Sequence, residues 1–188
     1  MRRMNGLLLG ALLWLAGSVA LADDYSDTVA LFKTAGQSAG FFKTCHGYAV
    51  FPTIGKGGFV VGGAHGNGRV YEHDKYVGNV SMTQLSVGFQ AGGQAYSQIV
   101  FFEDERAFKE FTGGDFEFGA DVGAVAITAA AEAGAGTAGM SATASGGKKD
   151  ATTAGTYHNG LAVFTIVKGG AMYQATVAGQ KFKYKPKS

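Results

Sequence analysis

The chain carries one cysteine and four histidines as its candidates for nucleophilic or acid–base chemistry: Cys45, His46, His65, His73 and His158. Nucleophilic catalysis needs a serine, cysteine or threonine held beside a base. Cys45 and His46 are neighbours, so in extended backbone their side chains point to opposite faces and do not form such a pair. We therefore expect a protein without enzymatic activity.

Metal binding is the second chemistry that these residues suggest. A site built from Cys45, His65, His73 and Asp74 is conceivable, but the sequence lacks the C-x-x-C and H-E-x-x-H spacings that hold metal ions. Residues 55–58 are glycine-rich but lack the strand–loop–helix context of a phosphate loop. With one cysteine, an intramolecular disulfide is excluded, and a buried apolar role is expected for the thiol. We predict no metal and no cofactor.

Lysines occupy every second position near the end of the sequence: Lys181, Lys183, Lys185 and Lys187. In a strand these side chains share one face, and Phe182 and Tyr184 share the other. Near an anionic bilayer each lysine contributes about 1 kcal/mol, so four give about 4 kcal/mol and only about millimolar affinity. We predict a lipid-binding surface of these lysines, and the full predicted set is Lys181, Lys183, Lys185, Lys187, Lys168, Phe41 and Phe42. The alternative is an edge strand whose lysines prevent sheet-to-sheet aggregation.

The N-terminal residues 1–22 are typical of a cleavable signal peptide. Arg2 and Arg3 precede a short apolar run, and Ala20-Leu21-Ala22 provides the small residues that a signal peptidase accepts. An uncleaved anchor is the alternative. Without these two arginines the chain has 14 basic and 14 acidic residues, so a general attraction to nucleic acid is not expected. We predict a periplasmic or secreted protein, peripheral to a membrane.

Hydrophobic periodicity divides the remaining chain into short elements. A helix is predicted over residues 24–43, with Asp24 or Ser26 as its cap, and a short helix over residues 104–111 with Asp104 as its cap. Between them, strands are predicted at residues 47–52, 58–64, 69–73, 85–91 and 96–102, with a hairpin turn at residues 65–68. The later strands are predicted at residues 116–128, 161–167, 172–177 and 180–185, and residues 129–150 are predicted to form a mobile small-residue loop. In the strand at residues 85–91, Leu85, Val87 and Phe89 are expected on the packed face.

Glycine is unusually abundant, with 31 residues, and many of them fall inside strand patterns. Such glycines mark bulges, curvature or close backbone approach. The expected fold is α+β and one domain over residues 23–188. It consists of a strongly curved, mainly antiparallel sheet, or a partly closed barrel or sandwich, with one N-terminal helix and one short helix.

An ordered set of short segments resembles the SYLF (DUF500) domain family. The segments are residues 45–52 (CHGYAVFP), 56–63 (KGGFVVGG), 105–107 (ERA), 116–121 (FEFGAD) and 159–164 (NGLAVF). The resemblance covers about residues 29–179. It implies a non-catalytic domain, of a kind that binds phosphoinositide membranes and in some cases actin in eukaryotes, and that is exported and lipid-binding in bacteria.

One departure limits what the resemblance transfers. The basic amphipathic N-terminal segment of the eukaryotic members is replaced here by acidic residues 23–27 (DDYSD), so their phosphoinositide-contacting residues have no counterpart. We predict a module that contacts anionic phospholipid in the cell envelope. The alternative is a structural or protein-interaction domain of the periplasm, with an envelope protein as its partner and without lipid binding.

Overall fold

A computed structural model describes residues 23–58, 61–87, 92–119, 124–127, 156–170 and 179–188. The predicted signal peptide at residues 1–22, the predicted loop at residues 129–150 and the predicted strand at residues 172–177 lie outside the described residues. The structural statements below refer to the described ranges.

The N-terminal helix is shorter than its periodicity predicts. Helix α1 (Asp24–Thr34) is followed by a turn and a 3-10 helix (Phe41–Lys43), so the prediction of a helix through residue 43 is wrong. The turn contains Gly36 and Gly40, and each glycine costs a helix about 1 kcal/mol relative to alanine. The cap is Asp23 rather than Asp24 or Ser26, because its carboxylate accepts from the backbone amide of Tyr25.

The second helix matches its prediction closely. Helix α2 (Glu105–Thr112) begins after Asp104, whose carboxylate accepts from the backbone amide of Ala107 at 2.8 Å. It ends at Gly113. Cap residues at both ends therefore define this helix locally, as the sequence indicates.

Eight strands make up the rest of the described structure: β1 (Gly47–Gly58), β2 (Val61–Glu72), β3 (Lys75–Val87), β4 (Gly92–Phe102), β5 (Asp115–Glu117), β6 (Ala124–Ile127), β7 (Leu161–Gly170) and β8 (Gln180–Pro186). They form one sheet in the order β5-β8-β3-β2-β1-β4-β7-β6. Every pairing is antiparallel except that of β6 with β7. The broad expectation of an α+β protein with a mainly antiparallel sheet is confirmed. In the described residues the sheet stays open.

Strong curvature brings distant strands of this sheet into contact. Gln98 on β4 and Gln180 on β8 are separated by three intervening strands, yet their buried side-chain amides hydrogen-bond to each other at 2.9 and 3.2 Å. Neighbouring strands lie about 4.8 Å apart, so a flat sheet would hold these residues about 19 Å apart. The contact therefore crosses a concave interior.

Each face of the sheet carries its own apolar cluster. The inner cluster on the concave face joins the sheet to α2, and its phenylalanines include Phe51, Phe102, Phe108, Phe111, Phe118 and Phe182. The outer cluster joins the sheet to α1 and the 3-10 helix, with Phe32, Val50, Ile99, Phe101 and Phe164 at its centre. Strand β1 is buried on both faces up to Pro52, and beyond it the residues alternate, with Thr53, Gly55 and Gly57 exposed. The outer face of this half of the sheet is therefore not covered by α1.

Two sequence predictions about the central strands are wrong. Residues 65–68, predicted as a hairpin turn, lie inside β2, and the β2–β3 turn is His73-Asp74, with φ of 48° and 62°. The strands predicted at residues 58–64 and 69–73 are likewise not separate, because β2 runs unbroken from Val61 to Glu72, and the strand predicted at residues 47–52 continues to Gly58 as β1. Asparagine and glycine are enriched in turns, but here packing against β1 determines the conformation of β2.

The face assigned to β3 is also reversed. Leu85, expected on the packed face, is 84% exposed, whereas Met82 and Gln84 are buried. The remaining residues of the predicted strand at positions 88–91 lie outside the described residues. Because the side-chain period of a strand is two, an error of one residue in the choice of face reverses every side chain.

Candidate functional site

The four alternating lysines, hereafter the lysine row, lie on β8 and just beyond its end. All four are exposed, while Phe182 between them is 2% exposed and Tyr184 is partly buried. Phe182 packs in the inner cluster against Phe111 and Phe118, with ring centroids 5.1 and 4.7 Å away. Burial of these aromatic rings fixes the orientation of β8 and therefore directs the lysines to the outer face.

Strand β8 is not the edge of the sheet. It lies between β5 and β3, and β5 pairs with residues 181–183. The interpretation of the lysine row as an edge-strand safeguard is therefore wrong for this part of β8. The short β5 also brings acidic residues: Glu117 lies 3.4 Å from the ammonium of Lys181, and Asp115 is in register with Lys183. The far end of the row is consequently the more cationic end.

An aromatic and cationic cluster continues the lysine row across β3 to β2. The ring of Tyr76 lies under the ammonium of Lys187 at 5.2 Å and near the guanidinium of Arg69 at 5.4 Å. Arg69 also stacks on Tyr25 at 4.1 Å and forms an ion pair with Asp23. Such cation–π contacts contribute about 0.5–1 kcal/mol each at exposed sites.

Sequence reasoning missed this cluster because it depends on strand register. Arg69 and Asn79 are paired across β2 and β3, and Asn79 is paired with Lys185 on β8. The Tyr76 hydroxyl donates to the side chain of Asn79 at 2.9 Å. A sequence prediction with the β2–β3 turn at His73-Asp74, instead of at residues 65–68, would have brought Arg69 close to Asn79.

The structure separates the other predicted lipid-binding residues from the lysine row. Lys168 is exposed on β7, where its ammonium donates to Thr53 at 3.2 Å, and four strands lie between it and β8. Phe41 and Phe42 are partly buried in the outer cluster, where both contact Phe101. Their rings pack on the sheet, as a helix face that covers a sheet would, and not on an exposed surface.

Residues 36–40 have the G-x-S-x-G spacing, with Ser38 at its centre. No histidine lies next to this segment in the sequence, so the sequence does not indicate Ser38 as a nucleophile. In a nucleophile elbow such a serine is exposed between a strand and a helix. Here Ser38 follows a helix and is fully buried, and its hydroxyl donates to the carbonyl of Phe32 at 2.6 Å. The hydroxyl therefore hydrogen-bonds a backbone carbonyl near the end of α1 and is not available as a nucleophile.

The residues that the sequence made conceivable as metal ligands, Cys45, His65, His73 and Asp74, do not assemble into one site. Of these four residues only His73 joins a cluster of potential ligands, together with His46 and Glu72. Cys45 is half-buried, and this burial, assisted by the charge of Asp74, raises the pKa of its thiol to about 11. The thiol is therefore protonated at neutral pH and is a poor ligand and nucleophile.

A polar cavity of about 510 Å³ lies between α2, β5 and the start of β7. Charges of both signs line it, among them Arg106, Glu110 and Glu117. Arg106 is paired with Glu110 at 3.2 Å, so the cavity has no strong preference for an anion or a cation.

Neither helix in the described part of the chain has the length and apolar character needed to cross a bilayer. Comparison with known proteins finds the following similarities. The family model "Ysc84: Las17-binding protein actin regulator" matches residues 83–185. Beta cell expansion factor A of Aeromonas veronii is 26% identical over 156 residues, which is 82% of this chain and 51% of that protein. The chain thus spans about half the length of this relative.

Proposed function

The chain belongs to the Ysc84 family, the SYLF domain family, and on this premise we propose that it is a non-catalytic module that binds anionic phospholipid membranes through the lysine row. The proposal includes export, based on the signal-peptide pattern of residues 1–22. The target membrane is then the cell envelope.

The observation that most supports this proposal is the fixed orientation of the lysine row. Lys181, Lys183 and Lys185 are exposed on one strand whose alternate side chains are anchored in the inner cluster. At about 3.4 Å per residue, their Cα atoms span about 14 Å along the strand. A rigid row of compact, hydrated ammonium groups is suited to the phosphates of several neighbouring lipids.

Tyr76 extends this surface with a group suited to the membrane interface. Its ring contacts the cations of Arg69 and Lys187, and its hydroxyl has a polar partner. Tyrosine favours the headgroup region because one end is apolar and the other is polar. The lysines are attracted to the lipid phosphates, and the Tyr76 ring contacts the headgroup region of the bilayer.

Electrostatics set the expected strength of binding. Glu117 engages Lys181, which leaves three lysines and about 3 kcal/mol at about 1 kcal/mol each. This is less than the 4.1 kcal/mol that corresponds to about 1 mM affinity. Binding is therefore expected to be peripheral, reversible and sensitive to salt, because exposed charges are screened over about 10 Å at 0.1 M ionic strength.

The test is co-sedimentation with vesicles of phosphatidylglycerol and phosphatidylcholine, and with phosphatidylcholine alone, at low and high salt. The variant Lys183→Ser/Lys185→Ser removes two exposed charges from the row. The matched control Lys43→Ser/Lys109→Ser removes two exposed charges elsewhere. We expect about thirtyfold weaker partitioning for the row variant, corresponding to about 2 kcal/mol, and little change for the control.

Equal binding by both double variants would contradict the proposed surface, and absence of binding at low salt would contradict lipid binding itself. Lys168→Ser serves as a separate check. Because four strands separate Lys168 on β7 from β8, its replacement is expected to leave vesicle binding unchanged.

A protein partner is the second candidate, favoured by the description of the family as Las17-binding. The ion pair of Lys181 with Glu117 supports this candidate, because carboxylates of a partner would meet the lysine row in the same way. An envelope protein captured in stoichiometric amount by the wild type and lost with Lys183→Ser/Lys185→Ser, without vesicle binding by either, would favour this candidate.

A further inference from the structure

We propose that His46, Glu72 and His73 form a binding site for a divalent transition-metal ion of the zinc type. One potential ligand atom from each residue lies within 4.8 Å of the other two. Nothing in the family match or in the proposed lipid contact requires these residues to come together.

Antiparallel register creates this cluster. Gly47 at the start of β1 pairs with Glu72 at the end of β2, and the backbone amide of His73 donates to the carbonyl of His46 at 3.1 Å. The two histidines are therefore opposite each other, one step beyond the paired strands. Their rings meet edge to face, with centroids 4.5 Å apart. The left-handed backbone of His73, with φ of 48°, belongs to the tight turn that follows β2.

The donor set matches the preferences of zinc-type ions. Two imidazoles and one carboxylate are the ligands of many three-residue zinc sites, with a fourth position left for water or another ligand. Tetrahedral ligands about 2.1 Å from an ion are about 3.4 Å from one another. The nitrogen Nε2 of His46 is already 3.0 Å from a carboxylate oxygen of Glu72, so small movements would bring the three donors to coordination distance.

The surroundings hold one side of the cluster and leave the other open. The side chain of His46 is 17% exposed and its ring lies 5.4 Å from that of Phe108 on α2. Glu72 is 38% exposed and His73 is exposed, so an ion can enter from solvent. His46 is thus partly buried and held in orientation by its neighbours, while Glu72 and His73 remain accessible to an ion.

Two of the neighbouring charges form an ion pair on α2, and Asp74 and Lys75 follow His73 in the chain. Glu105 and Lys109 are 2.6 Å apart, so this carboxylate is engaged locally and is not a further ligand in the cluster. The alternative interpretation of the cluster is a histidine–glutamate hydrogen bond with an adjacent histidine. The two interpretations differ in whether the protein binds one equivalent of Zn²⁺ or Co²⁺ at this cluster.

The experiment is titration of the purified protein with Zn²⁺ against a chromophoric chelator, and with Co²⁺ followed by visible absorption. His73→Asn removes a ligand and keeps a residue type that tolerates positive φ. Glu72→Gln removes the carboxylate with little change in shape. The matched control is His65→Asn, an exposed histidine of β2 outside the cluster. Circular dichroism follows the folding of each variant.

We expect one equivalent of Co²⁺ with intense tetrahedral bands for the wild type and for His65→Asn. Both cluster variants should bind Zn²⁺ at least about tenfold more weakly, since even outer-shell changes at metal sites cost 10–100-fold. If His73→Asn does not fold, Glu72→Gln decides the question. Unsaturable binding, cluster variants that bind Zn²⁺ as tightly as the wild type, or loss of binding with Cys45→Ser alone would overturn the proposal.

Discussion

At the scale of single residues, the lone thiol shows how burial determines chemistry. Cys45 lies between the 3-10 helix and β1 and packs against the outer cluster. Burial is the main cause of its raised pKa, and the negative charge of Asp74 adds to it. The expectation of an apolar packing role agrees with this environment, because a protonated thiol is a weak nucleophile.

We predict that Cys45 in the folded protein reacts slowly with iodoacetamide at pH 8. With the pKa raised from 9.0 to about 11, the thiolate fraction falls about a hundredfold relative to the unfolded chain. The rate should keep rising with pH up to about 11 in the folded protein and level off near 9 in denaturant. Identical pH profiles in the two states would contradict the buried environment.

At the scale of elements, glycines of β2 make room for β1. A Cβ atom at Gly66 would lie 2.6 Å from the side chain of Ile54, and one at Gly68 would lie 2.7 Å from the ring of Phe51. Both of these β1 side chains are fully buried in the inner cluster. The glycines therefore allow large side chains of one strand to lie across the backbone of the next.

We predict that Gly68→Ala lowers the free energy of unfolding by about 1–3 kcal/mol, the usual cost of overpacking a core. The added methyl would also meet the backbone carbonyl of Val50 at 2.8 Å, so movement of the Phe51 ring alone cannot relieve it. Urea denaturation measures the effect. Gly57→Ala on β1 is the control, since nothing lies within 4 Å of its Cβ position, and comparable losses for both variants would contradict this account.

At the scale of the whole molecule, a polar contact joins the two arms of the curved sheet. The amide of Gln180 donates to the side chain of Gln98 at 3.2 Å and to the hydroxyl of Tyr96 at 3.2 Å, and the amide of Gln98 donates back at 2.9 Å. Burial and the hydrogen bond with Gln180 act in opposite directions on the pKa of Tyr96, and burial prevails, so the pKa is raised. The phenol is therefore a neutral member of this interior network.

We predict that Gln180→Met destabilises the protein by about 1–3 kcal/mol, because it leaves the buried amide of Gln98 without its partner. The double variant Gln98→Met/Gln180→Met should lose less than the single variant, since the orphaned amide is then removed as well. Thermal unfolding of the wild type, the two single variants and the double variant measures the coupling. Strict additivity with Gln98→Met would mean that the two side chains do not meet.

The sequence by itself determined those features that depend on local spacing. Asp104 and Gly113 define α2 because caps act on adjacent backbone groups, and the alternation around Phe182 places the lysines of β8 on one face because the period of a strand is two. The α+β class follows from the same periodicities. These inferences require no knowledge of which strands are neighbours.

Only the tertiary structure decided which distant residues meet. It assigned Gly66 and Gly68 to close packing instead of a turn, and it brought His46 together with His73. It also placed β5 beside the lysine row, with Glu117 against Lys181. The physical reason is that register and curvature depend on how buried side chains of separate strands fit together, and neither is encoded by the spacing within one segment.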